Sequence, residues 1–161
     1  SRLLTEDEVD ISIGSNHIRI TSSDFCFTSK LVDGAYPDYD RVMPKAGEKL
    51  ILGNREELRQ GFSRTAILSN EKFKGVRVLI SEASLKMVAS NPEQEEAEEE
   101  LPVNYSGENL EIGFNVSYIL DVLNVLKGDE VRFTLSDSNS SALIEDVVND
   151  QAVYVVMPMR L

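Results

Sequence analysis

The sequence predicts an α+β fold in which a β-α-β-β-β unit occurs twice, after a separate β-hairpin. Short segments in which apolar and polar residues alternate dominate the chain, and such alternation is typical of half-buried strands. Two longer segments carry apolar residues at helical spacing, and each follows an Asn, a residue that caps helices well. Two helices packed on one side of two antiparallel sheets are the expected arrangement of these elements.

The amino-terminal part of the chain predicts a hairpin and one further strand. Val9, Ile11 and Ile13 alternate with polar residues before a Gly-Ser-Asn turn, and the alternation resumes after it. A short strand follows at 24–28. Residues 32–47 lose this periodicity and contain turn signals such as Asp-Gly and Tyr-Pro-Asp, so we place a domain linker there.

The rest of the chain predicts the same order of elements twice. The predicted elements are a strand at 49–53, a helix at about 55–68 and strands at 75–81, 85–90 and 95–105, then a strand at 109–114, a helix at about 116–127 and strands at 130–136, 141–146 and 152–157. Asn54 and Asn115 can cap the two helices, because their side-chain oxygens accept hydrogen bonds from free N–H groups of the first turn. Gly128 marks the end of the second helix. The apolar stripe of that helix consists of Val116, Ile119, Leu120, Leu123 and Leu126.

The composition limits the classes of function. The chain has 161 residues with 16 Lys and Arg against 28 Asp and Glu, and its net charge of −12 argues against a broad surface for nucleic acid or anionic lipid. One Cys and one His leave no cluster for zinc, and the single thiol indicates a reducing compartment. We see neither a long apolar run nor a leader, so we expect a soluble, intracellular protein.

The residues give little support to catalysis. His17, the one imidazole, lies on a hairpin flank, where we expect a surface role. Cys26 lies between two Phe residues of a predicted strand, which favours ordinary packing over a nucleophile. The patterns that cradle nucleotide phosphates and dinucleotides are both absent from the sequence. We therefore expect no enzymatic activity, no catalytic residue, no metal site and no cofactor.

Two charged features each allow two interpretations. Residues 93–100 hold six acidic residues, and they predict either a solvated edge strand that resists aggregation or a docking face for a basic surface of another subunit. Four basic residues on or beside the predicted helices serve either solubility or a lining that faces DNA phosphates and reads no base. These candidate DNA-facing residues are Arg55, Arg59, Arg64 and Lys127.

The carboxyl-terminal residues 155–161 are largely apolar, although chain ends are normally polar and frayed. One interpretation is a last strand followed by an ordered end. The other is that Met157, Pro158 and Met159 form the wall of an apolar groove, since unbranched Met side chains adapt to varied apolar guests.

Five blocks of sequence carry a family resemblance, and they are spread over nearly the whole chain. They are 27–34 (FTSKLVDG), 36–39 (YPDY), 67–73 (ILSNEKF), 113–118 (GFNVSY) and 154–161 (YVVMPMRL). Through these blocks the chain closely resembles the bacterial DNA polymerase III beta subunits, the replicative sliding clamps. The resemblance implies the DNA-clamp fold, a head-to-tail ring dimer with three similar domains per chain, helices lining the hole and sheets outside.

The resemblance also implies how this chain is divided. Residues 1–36 match the second half of the family's middle domain, residues 37–41 a linker and residues 42–161 the complete third domain. The first domain, which supplies the other half of the ring joint, has no counterpart in this sequence. We therefore expect a homodimeric ring only for a full-length protein and a monomer for this chain.

The family binds short linear motifs of partner proteins in a hydrophobic groove between its middle and third domains. The matching positions here are Pro37, Arg41, Val42, Phe73, Asn115, Tyr118, Ser141, Val155, Val156, Met157, Pro158, Met159, Arg160 and Leu161. Their chemistry agrees with this role, because an apolar cup surrounded by a few polar groups can fix the direction of a bound peptide. The family's subunit interface matches Ile67, Leu68, Glu93, Glu95, Glu96, Glu98 and Glu99.

These observations predict a processivity factor that is not an enzyme. We expect it to bind the replicative polymerase, the clamp loader, other polymerases and repair proteins through linear motifs, and to encircle duplex DNA without reading its sequence. Cytoplasmic, nucleoid-associated localisation follows from the resemblance. The alternatives are an autonomous peptide-binding adaptor without a role on DNA, and an enzyme of unrecognised type.

Overall fold

A computed structural model describes residues 8–35, 38, 43, 49–149 and 151–160. The chain forms two compact units, Ser1–Pro37 and Asp38–Leu161. The first contains the strands β1 (Asp10–Ile13), β2 (His17–Thr21) and β3 (Cys26–Lys30). The second contains β4 (Lys49–Asn54), α1 (Arg55–Ala66), β5 (Gly75–Ser81), β6 (Ser84–Ser90), β7 (Glu96–Pro102), β8 (Leu110–Asn115), α2 (Val116–Val125), β9 (Glu130–Leu135), β10 (Ala142–Asp146) and β11 (Val153–Val156).

The first unit is an antiparallel sheet in the order β1-β2-β3. Its turn is closed by a hydrogen bond from the Gly14 N–H to the His17 carbonyl at 2.8 Å, as the predicted hairpin requires. Ile11 lies opposite Ile20, and Ile20 lies opposite Phe27, so these apolar side chains share one face of the sheet. Ile11 and Phe27 are exposed on that face.

The second unit contains two four-stranded antiparallel sheets, ordered β11-β10-β9-β4 and β7-β6-β5-β8. Each β-α-β-β-β unit contributes its first strand to the sheet formed by the other unit's last three strands. Residues Leu52 of β4 and Asn104 form an isolated bridge, with reciprocal backbone hydrogen bonds of 3.1 and 2.7 Å. This exchange of strands makes the duplicated units parts of one structure rather than two separate folds. The predicted order of elements is confirmed.

The helices begin where the Asn residues predict. The Asn54 side chain accepts a hydrogen bond from the Glu57 N–H at 3.0 Å, and Asn115 accepts one from the Ser117 N–H at 2.9 Å. Both helices end two residues earlier than predicted. The last turn of α1 is tightened by a hydrogen bond from the Ile67 N–H to the Arg64 carbonyl, while Leu126 after α2 adopts extended backbone.

The core lies between the helices and the inner faces of both sheets. Its largest fully buried side chains include Phe62 of α1, Ile119 and Leu123 of α2, Ile51 of β4 and Ile144 of β10. Helix α1 buries Gly61 against the sheet, where an added Cβ would lie 2.7 Å from the Met87 side chain. One contiguous apolar cluster therefore holds both repeats together, as burial of apolar area drives such packing.

Candidate functional site

The carboxyl-terminal tail is held against the edge of the second sheet. The Met159 N–H donates a 2.8 Å hydrogen bond to the Gly113 carbonyl of β8. An open groove of about 430 Å³ lies beside this contact, and residues from the tail, from the turn before β5 and from three strands line it. They are Asn70, Phe73, Gly75, Arg77, Val88, Ala89, Ser90, Glu96, Met159 and Arg160. The groove therefore combines apolar walls with charged and amide groups, as peptide sites do.

The turn at 70–74 presents Phe73 at one side of this groove. The Asn70 side chain accepts hydrogen bonds from the backbone N–H groups of Lys72, at 3.0 Å, and of Phe73, at 2.9 Å. The Phe73 ring is 56% exposed, and the Lys72 ammonium lies 5.4 Å from its centroid. An exposed aromatic side chain that lines the same groove as Met159 is an available apolar anchor site.

Two of the predicted groove residues lie at the junction of β8 and α2 and do not line this groove. Asn115 caps α2, and its side-chain amide also donates a 3.3 Å hydrogen bond to the Phe73 carbonyl. Tyr118, in the first turn of α2, is 59% exposed. Asn115 thus connects the start of α2 to the turn that carries Phe73, which keeps two predicted groove residues close together.

The tail residues differ in how their side chains are presented. Alternation along β11 leaves Val155 half-buried on one face and places Val156 in the core, where it is 5% exposed. Met157 is exposed, whereas Pro158 and Met159 are half-buried. Ser141 is half-buried immediately before β10. Four predicted groove residues, Pro37, Arg41, Val42 and Leu161, lie outside the described residues.

Sequence reasoning did not identify several of the residues that line this groove, and it assigned one of them to a different surface. Arg77, Val88 and Ser90 come from the outer face of neighbouring strands, and only the register of β5 with β6 brings them beside the tail. Glu96, which we had assigned to the subunit interface, also lines this groove. The signal that was available is Asn70, because Asn side chains commonly hydrogen-bond to the backbone two residues further on and form Asx turns.

A second groove, of about 490 Å³, also borders this turn. The predicted interface residues Ile67 and Leu68 lie there together with Glu93 and Glu95. Ile67 is 77% exposed, although it is a large apolar residue. The structure therefore places the exposed Ile67 and the half-buried Leu68 beside carboxylates that are distant in sequence, an arrangement found in protein interfaces.

The acidic segment forms the edge of its sheet, as one of the two interpretations predicts. Strand β7 pairs with β6 and is the last strand on that side. Glu98 forms an ion pair with Lys86, and the hydrogen bond within this pair raises the pKa of Lys86. Glu99 accepts two hydrogen bonds from Arg64, one of them at 3.1 Å, and these hold the pKa of Glu99 below its ordinary value.

Three of the four candidate DNA-facing residues already interact within the chain. Arg55 donates a 2.8 Å hydrogen bond to the carbonyl of Gly128, which lies beyond the end of α2. It donates a second, of 3.2 Å, to the carbonyl of Leu123 within α2. Arg59 pairs with Glu56, and Arg64 pairs with Glu99. Lys127 is exposed. The cations on α1 are thus partly neutralised by neighbouring carboxylates, which weakens any uniform basic lining.

The Arg59 contact has a clear effect on acidity. Two hydrogen bonds, of 2.9 and 2.6 Å, join Arg59 to the Glu56 carboxylate, and the Gln60 amide adds a third at 2.9 Å. These hydrogen bonds lower the pKa of Glu56 from 4.5 to about 2, and the bond from Arg59 has the largest effect. Glu56 therefore stays ionised well into the acid range.

The two residues considered for catalysis make local contacts within the first sheet. His17 lies at the start of β2, where its ring Nδ1 is 2.6 Å from the Asn16 side-chain oxygen. Cys26 is exposed, so our expectation that its side chain serves ordinary packing is wrong. It starts β3, which lies at an edge of the described three-stranded sheet. Among the described residues, no group of three His, Cys, Asp or Glu side chains is placed to hold a metal ion.

Neither helix, over the parts of the chain that are described, is long and apolar enough to cross a membrane.

The family comparison identifies two adjoining regions. Residues 40–160 match the carboxyl-terminal domain of the DNA polymerase III beta subunit, and residues 1–38 match its central domain. The chain therefore belongs to the DNA polymerase III beta subunit family.

Relatives of known name agree with this assignment. The chain is 63% identical, over its whole length, to the beta sliding clamp of Pseudomonas aeruginosa, and it covers 44% of that protein. It is 59% identical over 156 residues to the beta sliding clamp of Escherichia coli, covering 43% of it. The chain thus spans somewhat less than half the length of the relatives it matches.

Solved structures share the fold. A crystal structure of the P. aeruginosa DNA polymerase III subunit beta matches with a TM-score of 0.85 and 62% identity, over 99% of this chain and 45% of that one. A P. aeruginosa sliding clamp bound to griselimycin matches with a TM-score of 0.81 and 62% identity, over 99% of this chain and 44% of that one. The α+β clamp fold predicted from the sequence is confirmed.

Proposed function

We propose that this chain forms the carboxyl-terminal part of a replicative sliding clamp. In this proposal residues 1–36 belong to the central domain, 37–41 are the linker and 42–161 are the third domain. The clamp is an accessory subunit, not an enzyme, and acts in the cytoplasm at the nucleoid. Family membership supports the proposal, together with the groove beside the tail, which is the single observation that carries it.

The groove is the site at which we propose that partner proteins bind. Phe73 and Met159 supply apolar surface, and Arg160 supplies a cation beside them. Burying one Leu or Phe side chain of a partner contributes about 1.5–3 kcal/mol, so two anchors and a few hydrogen bonds suit micromolar binding, near about −8 kcal/mol. Binding of this strength allows one partner to replace another, as a clamp shared by polymerases, loader and repair proteins requires.

Griselimycin binding tests the groove directly. We propose that the 161-residue chain binds griselimycin, because a relative that is 62% identical to it has been crystallised with this ligand. Isothermal titration calorimetry should give a measurable affinity for the unmodified chain. The double substitution Met157→Ala with Met159→Ala should weaken it about tenfold or more, because apolar contact area is lost.

The matched control is Val148→Ala, which shortens an 86% exposed apolar side chain in the loop before β11. Its affinity for griselimycin should equal that of the unmodified chain. Equal binding by the double Met variant, with an unchanged thermal unfolding midpoint, would show that the ligand does not use this groove.

We also propose that the second groove and the edge of β7 form the ring joint. Ile67 and Leu68 present apolar surface there, and Glu93 and Glu95 add negative charge that fits a basic partner surface. Among the described strands, none pairs with the outer side of β7, so a strand of a second subunit can extend the sheet there.

A chimaera tests the ring and the DNA function together. The chimaera joins this sequence to the remaining amino-terminal part of the P. aeruginosa clamp. We expect a dimer by analytical ultracentrifugation, loaded clamps that stay on nicked circular DNA, and their loss when the circle is cut. Ile67→Ala with Leu68→Ala should give monomers. An adaptor without a DNA role would bind griselimycin but show no dependence on DNA circularity.

A further inference from the structure

The turn between α1 and β5 is unusually well fixed for a segment that presents an exposed aromatic side chain. Asn70 begins it, and its side-chain oxygen accepts hydrogen bonds from two successive backbone N–H groups, at 3.0 Å from Lys72 and 2.9 Å from Phe73. The Asn70 carbonyl also accepts a 2.7 Å hydrogen bond from the Lys74 N–H. Asn70 thus holds the backbone of the three residues that follow Glu71.

The far end of the turn is fixed as well. Lys74 has a φ of 49°, a left-handed conformation that reverses the chain into β5. Its carbonyl accepts a 2.8 Å hydrogen bond from the Val116 N–H, and the Phe73 carbonyl accepts one of 3.3 Å from Asn115. Both polar groups of the Phe73 backbone therefore have partners, which fixes the direction in which the ring projects from the backbone.

We propose that Asn70 is a positioning residue for partner binding, which fixes the backbone of Phe73 so that its ring forms one wall of the groove beside Met159. This inference rests on the proposed function of that groove. In this proposal Asn70 affects ligand binding through the hydrogen bond that its side-chain oxygen accepts from Phe73. Asn70 also lines the groove itself. When the backbone that carries the ring is already fixed, less conformational entropy is lost as a ligand packs against the ring.

The acceptor role separates Asn70→Ala from Asn70→Asp. Alanine removes the oxygen that holds the two N–H groups, whereas aspartate keeps an acceptor at the same position and forms the same turn. We expect Asn70→Ala to weaken griselimycin binding about 3- to 10-fold in calorimetry on the 161-residue chain. Asn70→Asp should bind within about twofold of the unmodified chain. Loss of affinity in the aspartate variant as well would indicate that the amide group contacts the ligand, and would overturn the proposal.

A double-mutant cycle tests whether Asn70 acts through Phe73. We expect Phe73→Ala alone to weaken binding about tenfold or more, and Asn70→Ala to cause no additional loss in that background. Independent effects that multiply would contradict the positioning role. Thermal unfolding of each variant confirms that the folded chain is being measured.

Asn91→Ala is the matched control. Asn91 also begins a turn, and its side-chain oxygen accepts a 2.9 Å hydrogen bond from the Glu95 N–H, but it does not line this groove. Its removal should destabilise the chain to a similar extent and leave griselimycin affinity unchanged. If Phe73→Ala binds griselimycin with the same affinity as the unmodified chain, the result would count against the proposed groove. A normal Phe73→Ala effect with an inert Asn70→Ala would count against the positioning role alone.

Discussion

The carboxylate of Asp146 accepts a 2.8 Å hydrogen bond from the backbone N–H of Gly128. Asp146 ends β10 and is only 7% exposed, while Gly128 lies just after α2. A second bond, from the Val148 N–H at 3.0 Å, holds the same carboxylate from the other side. These backbone hydrogen bonds hold the pKa of Asp146 below its ordinary value, and the bond from Val148 has the largest effect. One side chain therefore joins the end of a helix to the loop before the last strand.

Gly128→Ala should destabilise the chain. An ideal Cβ at Gly128 would lie 2.3 Å from the Asp146 Oδ1, and this buried carboxylate is held by its own hydrogen bonds and has little freedom to move. Overpacking of this kind costs about 1–3 kcal/mol, measured as the free energy of unfolding in urea. Gly14→Ala is the control, because its Cβ would meet only the His17 carbonyl at 3.5 Å. Equal stability of both variants would contradict the steric argument.

Stability should fall in acid as Glu56 loses its charge. Because the folded pKa of Glu56, about 2, lies below the ordinary value of 4.5, folding favours the ionised form. Its contribution is fully present above about pH 4.5 and is lost as the pH falls towards 2. Glu56→Gln should therefore lower the urea midpoint at pH 7, and its difference from the unmodified chain should shrink near pH 2.

The charge control for Glu56→Gln is Glu82→Gln, which removes an exposed carboxylate from the turn between β5 and β6. Both variants change the net charge equally. If both show the same dependence of the urea midpoint on pH, the effect comes from overall charge and not from the contact with Arg59.

Two phenylalanines should respond in opposite ways. Phe62 is 1% exposed in the core, whereas Phe73 is 56% exposed beside the groove. Phe62→Ala should cost about 3–5 kcal/mol of unfolding free energy through the cavity it leaves. Phe73→Ala should stay within about 0.5 kcal/mol of the unmodified chain while losing griselimycin affinity. A large loss of stability in Phe73→Ala would mean that its ring is structural.

Arg55→Gln should reduce stability, although sequence reasoning assigned Arg55 to a DNA-facing surface. Its guanidinium donates to the carbonyls of Leu123 and Gly128. Losing charge-assisted bonds of this kind costs about 1.5–3 kcal/mol, measured by urea unfolding. Lys127→Gln, at an exposed position, should leave the unfolding free energy nearly unchanged. If the two variants unfold alike, Arg55 does not support the end of α2.

Much of the fold could be predicted because its signals are local. Asn54 and Asn115 cap the two helices as their side chains predict, and the alternation of residues in β5 and β10 identifies strands within one residue of the observed bounds. Of the two interpretations of the acidic segment, the one that places it at a sheet edge agrees with the structure, because charged side chains are typical of edge strands. Each of these signals depends on residues close in sequence.

The groove could be predicted only in part. The family blocks identify Phe73, Met159 and Arg160, which the structure brings together. They do not identify Arg77 or Ser90, because these reach the tail only through the pairing of β5 with β6 and the contact of Met159 with Gly113. The groove is thus assembled from elements that lie far apart in the chain.

The sequence by itself determined the order of elements, the helix caps and the family, because periodicity, capping and motif blocks act over a few residues. Tertiary structure alone decided which carboxylate each arginine meets, as for Arg64 and Glu99, which are separated by 35 positions. It also decided that Val156 is buried and Cys26 exposed. Such outcomes depend on how distant strands align, and one residue of register changes the face to which every side chain points.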